Sequence, residues 1–366
     1  MSPKGIAPAD RIPRNSPARR AAFAALAAAA ALGAAACGEV PTGTLNTRAG
    51  YSVASDEVPV SICPSEGGHR FEGDEGLLRG AHFALRVECV ASFDEVPADF
   101  QLEYLIGEDH PITVPPPPGY EFTLVQFAPE PGVEAPYAVD DLTELSGKLV
   151  IGSEEWEFAG TAPVAGAAYL AVVEKDAPVT LEMTDSERTQ TMDLRARTRE
   201  GLVQALYNGS TDTVTTDVVE NSVDGYTSTG SYEYWFDDWV YSTEFTLTRE
   251  VYQPGEGWVA ENDGAVLALQ FGWLQSGSGL EWNIDPEEAL AVADANGALT
   301  AASVEHTDEE WGDGIWRTYF LEYAVPADSL VFTLTFHPEG PVEWPEEGIS
   351  MPITGDKTHE LTASFE

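Results

Sequence analysis

Six histidines and 62 carboxylates are the side chains of this 366-residue chain from which acid–base or metal chemistry could be assembled, and their spacing assembles no standard site. His69, His82, His110, His306, His337 and His359 never form the His-Glu-x-x-His pair that sets two imidazoles on one helix face for zinc. There is no Gly-x-Ser-x-Gly elbow, no Ser-x-x-Lys pair and no glycine loop shaped to cradle phosphate, so no nucleophile announces itself and no cofactor is expected. Asp237-Asp238, Asp294-Ala-Asn296, and Asp308-Glu-Glu310 with Asp313 are the acidic loops that a calcium ion would favour. None follows the Asp-x-Asp-x-Asp-Gly order of a calcium loop, and no metal site is assigned. A pair of carboxylates for glycoside cleavage has so many candidates in this acidic chain that no single pair stands out.

The stretch richest in binding chemistry is Tyr232-Glu-Tyr-Trp-Phe-Asp-Asp-Trp-Val-Tyr241, in a half that holds eight of the nine tryptophans. From Trp239 onward, Trp239, Tyr241, Phe245 and Leu247 alternate with polar residues, which makes theirs the buried face of a strand. An unbroken strand then sets Tyr232, Tyr234 and Phe236 on the exposed face, as a stacking platform for sugar rings or for a partner's apolar patch. A bulge at Asp237-Asp238 would instead reset the register and bury them. Tyr232, Tyr234 and Phe236 are the candidate binding residues.

What carries these residues is set first by the amino terminus. Lys4, Arg11, Arg14, Arg19 and Arg20 precede the apolar run Ala21 to Ala36, the charge and length pattern of a secretory signal and too short and weakly apolar for a spanning helix. The run ends Leu32-Gly-Ala-Ala-Ala-Cys37-Gly38, which resembles the lipobox of bacterial lipoproteins, with Ala34 where that family favours leucine. The resemblance implies that residues 1–36 are removed and that Cys37 becomes the lipidated first residue, anchored to the outer face of the cell membrane. The alternative is a plain signal peptide cut after Ala36. With Cys37 lipidated, Cys63 and Cys89 remain as one pair in an oxidising compartment, and a disulfide between them is expected. A zinc site made from these cysteines with His69 and His82 lacks the usual short ligand spacing.

Beyond residue 36 the chain has 62 − 1 = 61 acidic and 18 − 5 = 13 basic side chains. Such a field repels phosphate backbones, so nucleic acid is excluded as a partner. The acids are dispersed rather than massed in a tail, as suits solubility.

Residues 37–57 are rich in Gly, Pro, Thr and Ser and read as a flexible tether. Beyond them, short alternating runs rich in Val, Thr and aromatic residues recur between turn residues: 81–91, 100–106, 121–127, 147–151, 168–173 and 179–183. Only Asp285-Pro-Glu-Glu-Ala-Leu290 reads as a helix start, and Asn296-Gly297 is the clearest hairpin turn. An internal repeat matches Phe122–Phe127 to Val266–Phe271 and Tyr169-Leu170 to Phe320-Leu321. Both halves then end in a strand, Thr191–Leu194 and His359–Thr362. The expected fold is all-β, with two immunoglobulin-like β-sandwich domains at 58–200 and 201–366, and the tetraproline Pro115–Pro118 forms a loop inside the first.

Two sandwiches behind a lipobox resemble the acidic, immunoglobulin-like surface lipoproteins of Gram-positive bacteria. The resemblance implies an anchored extracytoplasmic module and no particular activity. The expectation is a non-catalytic protein that acts by binding, its partners being the membrane through its lipid and a cell-wall polymer, carbohydrate or protein. The alternatives are a carbohydrate-binding or wall-associated module and a carboxylate-based glycoside hydrolase.

Overall fold

The computed structural model describes residues 48–56, 58–65, 68–96, 105, 115–130, 132–139, 144–259 and 264–366. The leader, Cys37, His110 and most of the strand expected at 100–106 lie outside them. The fold is all-β, and strands of five residues or more are numbered here. Up to residue 200 they are β1 (Ala84–Phe93), β2 (Tyr120–Phe127), β3 (Leu145–Ile151), β4 (Glu154–Ala159), β5 (Ala168–Glu174), β6 (Val179–Asp185) and β7 (Arg188–Asp193). After it come β8 (Val219–Thr229), β9 (Tyr232–Thr243), β10 (Phe245–Glu250), β11 (Ala265–Gly277), β12 (Leu290–Asp294), β13 (Ser303–Trp311), β14 (Gly314–Val325), β15 (Val331–Phe336) and β16 (His359–Ser364).

In the N-terminal half, β5, β2 and β1 form one antiparallel sheet, and β7, β6, β3 and β4 form another. Alternation drives their packing: Val125, Phe127, Tyr169 and Val173 from the first sheet meet Leu149, Leu181, Met183 and Met192 from the second in one buried cluster. The other face of the first sheet is covered too. Phe122, Leu124, Leu170 and Val172 pack beneath Val58, Ile62 and Cys63, and Cys63 is joined by a disulfide to Cys89 on β1. Strand Ser52–Ser55 pairs with β5, Ser52 opposite Ala171, so ordered structure begins before residue 58. The small residues there hide a short alternation in which Tyr51 and Val53 pack against the cluster.

In the C-terminal half, β10, β11, β14 and β13 lie side by side, extended past β11 by short strands at Leu280–Glu281, Val342–Trp344 and Ile349–Met351. A second layer of β12, β15 and β16 lays Leu290, Val292, Phe332, Leu334 and Phe336 on Leu267, Phe271 and Leu321. Strand β9 joins this half differently, pairing with β8 alone. The segments matched by the internal repeat hold equivalent places: β2 and β11 each have β5 or β14 as a neighbour, and β6–β7 and β15–β16 pair in the second layers. Asp285 caps the short helix Pro286–Ala289 by accepting from the Glu287 N–H. Strand β12 does turn back into Gly297–Ala298, but one residue earlier than the Asn-Gly pair suggests: Asp294 pairs with Gly297, so Ala295 and Asn296 make the turn.

The halves meet on polar and aromatic contacts. The Trp258 indole N–H donates to the Asp185 and Ser186 carbonyls, and the Tyr207 hydroxyl accepts from the Arg79 N–H while donating to Gln190 Oε1. Burial pushes the Tyr207 hydroxyl up to about 12, so it remains a donor throughout the physiological range. Beside this seam, His82 Nδ1 lies 2.8 Å from the Asp185 carboxylate, both side chains almost fully buried.

Candidate functional site

The aromatic segment singled out in the sequence is β9, and its register with β8 contains a bulge. Trp239 pairs with Val223 and Phe236 with Gly225, so Asp237 and Asp238 together oppose the single residue Asp224. Asp238 takes the left-handed conformation (φ 56°), and its N–H donates to Asp224 Oδ1 at 2.9 Å. The extra residue turns Tyr234 and Phe236 to the same face as Trp239 and Tyr241. Both are half-buried, Tyr234 edge-on to Trp344 and Phe236 edge-on to Trp239. Tyr232, near the hairpin tip, is 71% exposed. The three candidate residues therefore form no continuous exposed ladder. The outward-facing aromatics of this hairpin are Trp235 and its cross-strand partner Tyr226, which the sequence reading did not single out.

A second consequence of β9 is a groove. After Thr243 the chain enters β10, which pairs with β11 from Phe245–Phe271 onward, whereas β9 itself turns away to β8. The Thr243 hydroxyl, donating to the Gly272 carbonyl at 2.8 Å, ties the chain to β11 at the fork. Beyond the fork β11 keeps β14 on one side and gains Leu280–Glu281 on the other, leaving a wedge open between β9 and β11. One stretch of the wedge, about 350 Å³, is lined by Ser242, Glu244, Thr246, Gln270, Gly272 and Trp316. The next, about 360 Å³, is lined by Phe236, Asp237, Asp238, Trp239, Leu274 and Leu280. The two stretches share no lining residue, and on β9 Ser242 faces away from Trp239 and Tyr241.

Trp316 lies against the backbone of Gly272, where a Cβ would run into the indole ring, so only glycine lets it lie flat. Trp311, 64% exposed at the tip of the β13–β14 hairpin, has its ring 6.2 Å from that of Trp316. Trp239 keeps its indole N–H buried with no hydrogen-bond partner among the described residues. An unpaired buried donor is costly, and this one is sealed inside the wall away from solvent. The wall behind is rigid: Trp273 and Trp282 meet edge-to-face at 4.9 Å, both nearly fully buried, and Trp273 donates to the Trp282 carbonyl.

Tyr241, in the same wall, donates its hydroxyl to His359 Nε2 at 2.9 Å. Burial, with the Lys357 charge adding to it, holds the His359 imidazole below its ordinary pKa, so the neutral ring that accepts this bond is favoured in the fold. A base depressed by folding contributes stability that is complete above its unfolded pKa, about 6.5, and is lost as pH falls through its folded value. Urea unfolding of His359→Gln is therefore expected to depend less on pH between 7.5 and 5.5 than that of the parent chain. Equal dependence would remove His359 from the account.

The other chemistry-bearing residues are spent on the fold. Cys63 and Cys89 form the disulfide and His82 binds Asp185, so the four-ligand zinc arrangement does not form. Asp308 is gripped by Arg317 through two bonds of 2.6 and 2.8 Å, which hold its carboxyl below the ordinary range. Asp294 is lowered by the Ser329 hydroxyl and by turn N–H donors, and Asp313 accepts from Ser278. His69 contacts Glu75, and His337 lies between Glu339 and Asp356. No three acidic, histidine or cysteine side chains converge as a metal site among the described residues. No helix there is long and apolar enough to cross a membrane.

No protein-family model matches the chain, and no curated protein matches it significantly. Among solved structures, the conserved domain protein from Bacillus anthracis aligns over 82% of this chain and 92% of its own, at 8% identity and a TM-score of 0.17. At that TM-score the alignment has no bearing on fold or function.

Proposed function

We propose that this protein is a lipid-anchored extracytoplasmic lipoprotein of two immunoglobulin-like sandwiches that acts by binding, and that the β9–β11 groove holds an uncharged, hydroxyl-rich polymer such as a wall glycan. The observation that carries the reading is the half-exposed indole of Trp316, laid on Gly272 in the stretch of the wedge lined by Ser242, Thr246 and Gln270. Flat aromatic rings offer apolar faces to sugar rings, while Ser242, Thr246 and Gln270 offer hydroxyl and amide partners to a chain laid along the groove. The net charge of −44 disfavours anionic polymers in the same place.

A carboxylate-based hydrolase is the second reading, and it needs a general acid whose pKa is raised. Glu75, Asp294 and Asp308 are shifted the opposite way, each chiefly by a hydrogen bond that favours the ionised form.

The test is retention of the exported protein on insoluble cell-wall glycan. Trp316→Ala is expected to lose at least tenfold in affinity, whereas Trp239→Phe, which removes an indole N–H sealed inside the wall, should leave retention unchanged. Both should retain the parent circular dichroism. Unchanged retention by folded Trp316→Ala would overturn the groove as the site. Cys37→Ala should move the protein from membranes to the medium, and persistence in the membrane fraction would overturn the anchor.

A further inference from the structure

Strand β13 has a single neighbour. It pairs with β14 in unbroken register over nine residues, from Ser303 opposite Glu322 to Trp311 opposite Gly314, and among the described residues its other edge carries no strand. Every residue from Val304 to Trp311 is exposed. Proteins close such edges with proline, a bulge, a short strand or a covering loop; β13 has no proline and no bulge, and the turn at 253–256 borders its Ser303 end. It presents about 30 Å of backbone whose outward N–H and C=O groups alternate along the strand.

The side chains decide what could pair there. Glu305 and Glu309 project to one face, with Thr307 between them, and Asp308 and Glu310 project to the other. Asp308 is neutralised by Arg317, whereas Glu305, Glu309 and Glu310 have no ion-pair partner among the described residues. A second copy of the chain laid on this edge would set acids against acids, which opposes pairing. With 62 acidic and 18 basic side chains, the rest of the molecule is equally unsuited as a partner for it. The acids thus guard the edge against self-association without closing its backbone.

We propose that the free edge of β13 receives an extended segment of a partner protein as an added strand, with basic residues four positions apart to meet Glu305 and Glu309. Main-chain bonds supply the affinity and the two acids select the sequence, the usual division of labour in strand addition. Trp311, at the end of the strand, offers an apolar contact to the segment's terminus. This edge lies across β14 from the β9–β11 groove, and because Glu309 stands opposite Trp316, the Trp316→Ala variant separates the two readings: it should weaken glycan retention and leave peptide binding unchanged.

The test uses the full exported chain and a labelled nine-residue peptide of alternating Thr and Val with Lys at its third and seventh positions, followed by fluorescence anisotropy. The Lys peptide should bind at least tenfold more tightly than the same peptide with Glu at those positions, and than a version N-methylated at alternate amides. In Glu305→Lys/Glu309→Lys, the preference should reverse towards the Glu peptide. Equal binding of the N-methylated peptide would reduce the interaction to charge attraction and overturn strand addition. An unreversed preference would place the peptide elsewhere, and no binding of the Lys peptide, or dimerisation of the parent chain through this edge, would overturn the proposal outright.

Discussion

Arg249→Ala is expected to cost about 4 kcal/mol of stability, far more than its position on a strand with an exposed face would suggest. Arg249 projects from β10 on the same face as Phe245 and Leu247 and is fully buried. Its Nη1 donates to the Ala205 carbonyl at 2.8 Å and its Nη2 to the Ala327 carbonyl at 2.6 Å, while its Nε has no partner among the described residues. Burial pulls the guanidinium pKa down from the ordinary arginine value, with Tyr137 opposing, so this charge is held by carbonyl dipoles rather than by a carboxylate. Each bond to a charged donor is worth about 1.5–3 kcal/mol, and truncation also leaves two carbonyls unpaired around a cavity. The relief of guanidinium desolvation offsets part of that sum. Arg249→Met fills the stem volume and removes the charge, so it should cost about 2 kcal/mol less than alanine. Ala205 lies in the short helix Gln204–Tyr207, whose Tyr207 bonds Arg79 and Gln190 across the seam, so the alanine variant should also loosen the contact between halves. Urea unfolding of the two variants measures the first effect, and amide exchange at Arg79 the second. A loss below about 1 kcal/mol for alanine would show that the guanidinium is not the clamp.

Arg249 also shows where sequence reading stops. Its odd-numbered place in the run Phe245, Leu247, Arg249, Val251 marks a charge on an apolar face, a signal that alternation makes visible, yet nothing local says which carbonyls wait for it. The bulge at Asp237-Asp238 was open to inference for the same reason: one extra residue is the cheapest way to keep five aromatic side chains on one side of a strand. The all-β class, the Asp285 helix start and the hairpin near Asn296, though not its turn positions, are local, written in two to six neighbouring residues. The groove is not. It exists because β9 leaves β11 at Gly272 for a different partner, and Trp316 reaches that glycine from 44 positions away. An isolated glycine inside the strand-like run Ala265–Gly277 was the one visible mark of a close approach. The strand Ser52–Ser55 was hidden by composition, since Gly, Ala and Ser read as a tether even where Tyr51 and Val53 pack.

Removing the disulfide by Cys63→Ala/Cys89→Ala is expected to cost about 3.5 kcal/mol, the loop-closure value for the 26-residue separation of the cysteines. The bond has a local task as well as an entropic one. Cys63 ends the segment that covers the outer face of the first sheet, where Val58 and Ile62 lie on Phe122, Leu124 and Leu170, all nearly fully buried. That segment has a second fastening: Gln126 on β2 accepts from the Ile62 N–H at 2.8 Å and donates to the Val60 carbonyl at 2.8 Å. If the staple acts mainly on the unfolded chain, the double alanine variant should lose the full amount in urea unfolding while Phe122 and Leu124 keep their native-state amide protection. If Gln126 and apolar burial hold the cover only weakly, protection at Val60 and Ile62 should collapse first while the cluster between the two sheets stays closed. Adding Gln126→Ala separates the two fastenings, because a loss greater than the sum of the separate variants means that each bond holds the segment for the other. A double alanine variant less than about 1 kcal/mol below the parent, with unchanged protection at Ile62, would leave the cover to Gln126 and to the hydrophobic effect alone.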